Sequence, residues 1–156
     1  MLSLKNLKIF FLLGIGIAFI YLAVLPPTIY SVDGHAMLAA AESLVTKHNF
    51  SVPPSMGTLG PDGNYYSHWY PLLSILDIPF VIMGLGLGNM LHLPGHYLAA
   101  VCSLLLPILL TAGTASFVFL LAIRLGSNHK NAYLVAVAFA FGTIVLVYWP
   151  FAHFKD

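Results

Sequence analysis

Three long apolar runs without acidic or basic residues divide the chain. They cover residues 9–25, 97–123 and 132–149. At about 1.5 Å per residue, a helix of roughly 20 apolar residues crosses the hydrocarbon core of a bilayer. The first run is longer than the apolar core of a signal peptide, typically about 7–15 residues, so we predict a retained transmembrane helix there. The pattern therefore predicts three membrane-spanning helices.

Two details of the later runs predict how these helices are shaped and packed. Pro107 lies inside the second run, where a proline kinks or breaks a helix. In the third run, Ala136 and Ala140 follow a four-residue spacing. Small residues at this spacing lie on one face of a helix and permit close packing between helices.

A fourth apolar segment, residues 71–91, is interrupted by Asp77, Pro79 and three glycines. A charged carboxylate in the bilayer core is costly unless it is paired. If this segment crossed the membrane, the basic loop Arg124–Lys130 would lie outside, whereas short basic loops prefer the cytoplasmic side. We therefore predict that residues 71–91 form an interfacial or re-entrant helix on the outer face.

These assignments define the fold class and the topology. We expect an all-α integral membrane protein, with three transmembrane helices and with amphipathic interfacial helices in a long first outer loop, residues 26–95. Lys5 and Lys8 precede the first span and indicate a cytoplasmic N-terminus. A short inner loop covers residues 124–131. Residues 1–156 then form a single membrane domain of a multi-pass protein of the plasma (inner) membrane.

Composition supports the membrane assignment. The chain is 60% hydrophobic and 7% charged, whereas a soluble domain carries about 25% charged residues. Its net charge of +1 gives no indication of a nucleic-acid partner. Membrane lipids are therefore the first expected partners of the chain.

A single carboxylate, Asp33, lies at the start of the outer loop and precedes a predicted helix at residues 35–48. At about 100° per residue, His35, Glu42 and Thr46 share one face with Ser43 beside them, as in a helix on a membrane surface. Local rules favour Asp33 as the helix cap. A capping carboxylate can keep one oxygen free, so a catalytic role is compatible with this interpretation.

The same loop continues with a turn and an aromatic segment. Gly60-Pro61-Asp62-Gly63 is a strong turn sequence, which makes Asp62 a turn residue. The following segment, NYYSHWYP, contains Tyr66, His68 and Trp69. Aromatic residues at this depth suit anchoring among lipid headgroups. They equally suit a pocket for a ligand with a polar head and a lipid tail.

Other motifs give no site. His92 and His96 are four residues apart, but Pro94-Gly95 breaks the helix that would align them on a metal. The glycines of residues 84–88 lack the strand and the Lys-Ser/Thr pair of a phosphate loop. There is no D-x-D motif of a nucleotide-sugar and metal site. We therefore predict no metal ligand among these residues. Their pattern leaves open whether a divalent metal ion takes part in the function.

The order of these elements resembles the N-terminal part of a GT-C-type membrane glycosyltransferase. A first span leads to Asp33-Gly34 and an amphipathic helix. A turn, the aromatic segment, a "PLL…PF" helix and two spans joined by "RLG" follow. In this order the chain is similar to the family-39 protein mannosyltransferases and the bacterial lipid A aminoarabinose transferases. The resemblance covers nearly the whole chain, and its motifs are short.

The resemblance implies roles for individual residues. Asp33 would be the catalytic base that activates the acceptor, although Gly34 stands where relatives often have a second acid. "SHWYPLL" aligns with a Lys-Pro-Pro segment that helps bind the donor phosphate in many relatives, so His68 would take the basic position. His153 and Asp156, in "WPFAHFKD", would approach the site from the third span. With Tyr66 and Trp69, these residues form the predicted substrate site.

The implied reaction is an inverting transfer of a sugar from a polyprenyl-phosphate donor to the hydroxyl of a glycan, lipid or protein acceptor. It would take place on the outer, periplasmic face. Members of the family have many more spans, so we expect these 156 residues to be an N-terminal fragment without activity of its own. The alternative is a small non-catalytic accessory or assembly subunit of the membrane.

Overall fold

The computed structural model of the chain describes residues 3–25, 29, 31–69 and 71–142. The described part is mostly helical. In chain order its elements are α1 (Leu4–Ala23), α2 (Val32–Lys47), a 3₁₀ turn (Pro54–Met56), β1 (Thr58–Leu59), β2 (Tyr65–Tyr66), α3 (Pro71–Leu91), α4 (Gly95–Ser103), α5 (Leu105–Arg124) and α6 (His129–Gly142).

Three helical stretches of the described chain are long and apolar enough to cross a membrane. They are Leu4–Ala23, Pro71–Leu91 and Gly95–Arg124, which comprises α4 and α5. This confirms a mostly helical fold with three candidate membrane spans. The first and third stretches match the predicted runs 9–25 and 97–123. The predicted span 132–149 is described only as far as Gly142, the end of α6.

The segment predicted to be interfacial or re-entrant is one unbroken helix. α3 has 21 residues, which corresponds to about 31 Å of helix. Pro71 occupies the first turn, where a missing N–H costs nothing, and Pro79 is accommodated inside the helix. The length of α3 is that of a membrane span, and its location at the interface stays a prediction.

The chain divides into two compact units. The first consists of residues 1–26 and 107–156, and the second consists of residues 27–106. The assignment of residues 1–156 to one membrane domain stays a prediction. The second unit contains α2, the hairpin, α3 and α4, and therefore most of the predicted outer loop.

Small residues pack the helices of the first unit closely. Ala136 and Ala140 of α6 are fully buried, as their spacing predicted. Ala140 belongs to a cluster with Tyr21 of α1 and Ile108 of α5. The phenol of Tyr21 donates a hydrogen bond to the backbone carbonyl of Ala140. This polar contact lies in an otherwise apolar core.

In the second unit, α3 packs against both α2 and α4. Their shared core consists of Leu38, Ala41, Val81, Ala99 and Ala100. The glycines of α3 allow this contact. A Cβ on Gly84 would lie 2.5 Å from the amide nitrogen of Ala99, and one on Gly88 would lie 2.6 Å from the Cα of Gly95. The glycines that interrupt the apolar run are therefore the residues that seat α4 on α3.

α4 ends at Ser103, four residues before Pro107. Proline has no N–H to donate to the carbonyl four residues earlier, so the helical hydrogen bonding is interrupted there. The sequence predicts a tilt or a kink from Pro107, and the structure has an interruption of the helix at Leu104.

Candidate functional site

Asp33 lies in the first turn of α2 and is not its cap. Ser31 is the N-cap, since its Oγ accepts a hydrogen bond of 3.0 Å from the backbone N–H of Gly34. The prediction that Asp33 caps the helix is therefore wrong. The backbone turns helical two residues earlier, and Ser31 supplies the same kind of acceptor.

The Asp33 carboxylate is left available for a ligand. Its side chain is exposed, and it makes no hydrogen bond or ion pair with any residue in the described part of the chain. An acidic residue in the first turn is favoured by the positive end of the helix dipole. The helix thus stabilises a negative charge here without occupying its oxygens.

The predicted polar face of α2 is partly used for packing. Glu42 is held by His96 of α4, whose Nδ1 lies 2.8 Å from both carboxylate oxygens. Ser43 is buried, and its hydroxyl donates a hydrogen bond to Asn49 Oδ1 at 2.8 Å and lies 2.9 Å from Ser51 Oγ. The helical periodicity predicted Ser43 beside the exposed polar face of α2. The chain reverses direction after α2, and residues 49–51 bury Ser43 instead.

The aromatic segment is supported by a small hairpin. β1 and β2 are antiparallel with Thr58 opposite Tyr66, and the connection contains Gly63 at a φ of 83°. The prediction of a turn at residues 60–63 is confirmed. Ser51 forms an additional bridge to Tyr66. The segment that follows α2 is thereby paired with the segment that precedes α3.

Asp62 does more than turn the chain. Its carboxylate accepts hydrogen bonds from the Tyr66 phenol, from the Asn64 side chain at 2.8 Å and from the Asn64 backbone at 3.3 Å. These bonds, with that of Tyr66 the largest influence, lower the pKa of Asp62 to about 2. The same contact raises the pKa of the Tyr66 phenol. Tyr66 is therefore fixed by an ionised carboxylate.

A pocket of about 200 Å³ opens beside this hairpin, within the second unit. Its walls combine aromatic rings with the hydroxyl groups of two serines. The lining residues are Ala40, Phe50, Tyr66, Ser67, Trp69, Pro71 and Ser74. Apolar walls with a few polar groups are typical of small-molecule sites. Because Pro71 and Ser74 belong to the first turn of α3, the pocket lies at the positive end of that helix, where anions are favoured.

The predicted site residues fall into four groups. Tyr66 and Trp69 line the pocket together. His68 is exposed beside the pocket segment, with Nδ1 at 3.0 Å from Thr58 Oγ1, and is not part of the wall. Asp33 is outside the wall. His153 and Asp156 lie outside the described residues.

Asp33 and the pocket are related through α2. Ala40, a wall residue, follows Asp33 by seven residues of the same helix. Seven residues are about two turns, so both lie on one face of α2, about 10 Å apart along its axis. The helix therefore presents the free carboxylate on the face that borders the pocket.

Sequence reasoning missed the other five wall residues, which are Ala40, Phe50, Ser67, Pro71 and Ser74. Phe50 reaches the pocket only through the pairing of residue 51 with residue 66, for which the sequence has no local signal. Ser67 is adjacent to His68 and could have been included with it. Ser74 could have been found from the first turn of the 71–91 helix, once the aromatic segment was placed before it.

No group of three or more His, Cys, Asp or Glu side chains that could hold a metal ion occurs among residues 3–25, 29, 31–69 and 71–142. Comparisons of the chain with protein-family models, with curated proteins and with solved structures find no match. The fold itself defines the class: a mostly helical protein with three helices able to cross a membrane, which suggests a multi-pass membrane protein.

Proposed function

We propose that the chain takes part in sugar transfer from a polyprenyl-phosphate donor to an acceptor hydroxyl at the outer membrane surface. The observation that carries the proposal is the free Asp33 carboxylate on the face of α2 that borders an aromatic pocket. This transfer requires a base near a binding pocket, and α2 carries Asp33 and also contributes Ala40 to the pocket wall. The sequence resemblance to GT-C glycosyltransferases supports the same conclusion.

The pocket suits the head of such a donor. Trp69 and Tyr66 offer flat apolar surfaces to a sugar ring, while the hydroxyls of Ser67 and Ser74 can donate hydrogen bonds. The first turn of α3 favours the donor phosphate.

The surface of α3 suits the tail of the donor. Beyond the pocket, the first turns of this helix expose large apolar side chains to their surroundings. They are Leu72, Leu73, Ile75 and Leu76, which are 64%, 43%, 44% and 42% exposed. A polyprenyl chain can lie along these side chains in the bilayer while its phosphate stays at the pocket.

Asp33 supplies the base. As the acceptor oxygen attacks the anomeric carbon, the carboxylate takes the hydroxyl proton, and the bond from the anomeric carbon to the phosphate oxygen breaks. The electron pair leaves with the polyprenyl phosphate, whose charge the first turn of α3 stabilises. A single displacement inverts the anomeric centre.

The proposal does not depend on the location of α3. Asp33 and the pocket wall precede or begin α3 and follow α1 in the chain. If α1 crosses from the cytoplasm, the segment between α1 and α3 lies outside, whether α3 spans the membrane or lies on its surface. The orientation of α1 itself rests on Lys5 and Lys8.

The test is sugar transfer by membranes that contain the natural gene product. With a radiolabelled polyprenyl-phosphate hexose, Asp33→Asn should lower transfer by at least about a hundredfold, because a positioned base typically contributes 10²–10⁴-fold. Glu42→Gln, an acid on the same helix held by His96, is the matched control and should retain transfer.

Undiminished transfer by Asp33→Asn would refute the role of Asp33. Absence of transfer in the wild type, together with co-purification of a larger membrane partner that Asp33→Asn leaves unchanged, would support the accessory-subunit alternative instead.

A further inference from the structure

The packed helices of the second unit contain a polar pair that the proposed site does not use. Asp77 of α3 is 7% exposed, and Ser103 of α4 is 6% exposed. The Ser103 side chain is a polar neighbour that influences the protonation of the Asp77 carboxyl group. Even so, Asp77 Oδ1 and Ser103 Oγ have no hydrogen-bond partner among the described residues. Two unsatisfied polar atoms therefore lie in the apolar contact between α3 and α4.

No positive charge compensates this carboxyl group. The titratable groups on the two helices packed against α3 are Asp33, His35, Glu42 and Lys47 of α2 and His96, Tyr97 and Cys102 of α4. Glu42 and His96 pair with each other, and none of the seven forms an ion pair with Asp77 in the described chain. A buried carboxylate without a partner costs far more than a neutral acid.

We propose that Asp77 and Ser103 form a buried proton-binding site, in which the carboxyl group is protonated and its O–H donates a hydrogen bond to Ser103 Oγ. One proton then removes the buried charge and gives both groups a partner. The Ser103 hydroxyl keeps its own proton and acts as the acceptor in this pair.

The proton changes what α3 can do. Two observations in the sequence speak against a membrane crossing at residues 71–91: the cost of a charged Asp77 and the preference of the basic loop Arg124–Lys130 for the cytoplasmic side. A neutral acid hydrogen-bonded to the neighbouring helix lowers that cost. The site thereby permits α3 to cross the membrane. Neither Asp77 nor Ser103 lines the aromatic pocket, although Asp77 follows the wall residue Ser74 by about one helical turn. The presence of the proton is measured without sugar transfer, so the two proposals can fail separately.

Infrared spectroscopy of the purified full chain in lipid nanodiscs at pH 7 tests the proposal. The wild type should show the carbonyl band of a protonated carboxyl group, which shifts on transfer to heavy water. Asp77→Asn should abolish this band. Ser103→Ala should keep the band but move it to higher frequency, because the carboxyl group loses its hydrogen bond. Asp62→Asn, which removes an exposed carboxylate, is the matched control and should leave the band unchanged.

Two results would overturn the proposal. One is a wild-type spectrum at pH 7 without a protonated-carboxyl band. The other is a band that persists in Asp77→Asn. If Ser103→Ala leaves the frequency unchanged, the hydrogen bond between the two residues is refuted. Circular dichroism of each variant shows whether the helices are retained, and Ser103→Ala, a loss of one hydroxyl, keeps the test valid if Asp77→Asn misfolds.

Discussion

Substituting Gly84 by alanine should loosen the contact between α3 and α4. The new Cβ would lie 2.5 Å from the Ala99 nitrogen and 2.6 Å from the Leu98 carbonyl oxygen. Non-bonded heavy atoms are usually separated by about 3.5–4.0 Å, so the helices must part by about 1 Å. All the opposing atoms belong to backbone and cannot rotate away. Overpacking of this kind destabilises by about 1–3 kcal/mol.

Gly86 provides a matched control on the same helix. A Cβ on Gly86 meets no atom within 4 Å, and alanine is favoured over glycine inside a helix by about 0.5–1 kcal/mol. Gly86→Ala should therefore be neutral or stabilising. The two variants add the same methyl group and gain the same helix propensity, so they should differ in unfolding free energy by the overpacking term alone, about 1–3 kcal/mol.

The buried Cys102 is a reporter for this comparison. It is the one cysteine in the sequence, and it lies on α4. Heating the chain in detergent with a fluorogenic maleimide should give labelling at a lower temperature for Gly84→Ala than for the wild type, and at the same or a higher temperature for Gly86→Ala. Equal midpoints for the two variants would refute the argument that the glycines seat α4 on α3.

Three further outcomes follow from the structure. Ser31→Ala should destabilise α2 by about 1 kcal/mol, measured by thermal unfolding, and no loss would contradict the cap. The hydrogen bond between Asp62 and Tyr66 should persist above pH 4. It should weaken as the pH falls from 3.8 towards 2, because the carboxylate of the folded protein is protonated near the lower value. The absorbance of Tyr66 reports this change, and weakening above pH 5 would contradict the prediction. With cysteines at Ser55 and Ser127, an impermeant thiol reagent added outside should label both if α3 spans the membrane and only Ser55 if it does not.

The distribution of apolar residues was sufficient to predict where membrane-length helices lie. It was not sufficient to predict which helices contact each other. The runs 9–25 and 97–123 specify membrane-length helices by composition alone, and Pro107 marks the break between α4 and α5 because its chemistry is local. Asp77 and Ser103 are distant in the chain and belong to two helices that pack against each other. This packing depends on Gly84 and Gly88, whose contacts with α4 are visible only in the structure.

The candidate site was predictable to the same extent. Tyr66 and Trp69 were chosen for their side chains, and they do share a pocket. His68, chosen by its place in the aligned segment, points to Thr58 instead. Asp33 was assigned the wrong local role because Ser31 and Asp33 are equally good caps by residue type. Only the backbone conformation decides between them, and the decision leaves Asp33 free.

Binding of a polyprenyl-phosphate hexose to the chain in nanodiscs tests the central claim most directly. The proposal predicts saturable binding that Trp69→Ala weakens by up to about tenfold, since an aromatic contact is worth about 0.5–1.5 kcal/mol. Tyr97→Ala removes an aromatic side chain that is 50% exposed outside the pocket and should not change the affinity. Unsaturable binding, or equal affinities of the two variants, would contradict a donor site at this pocket.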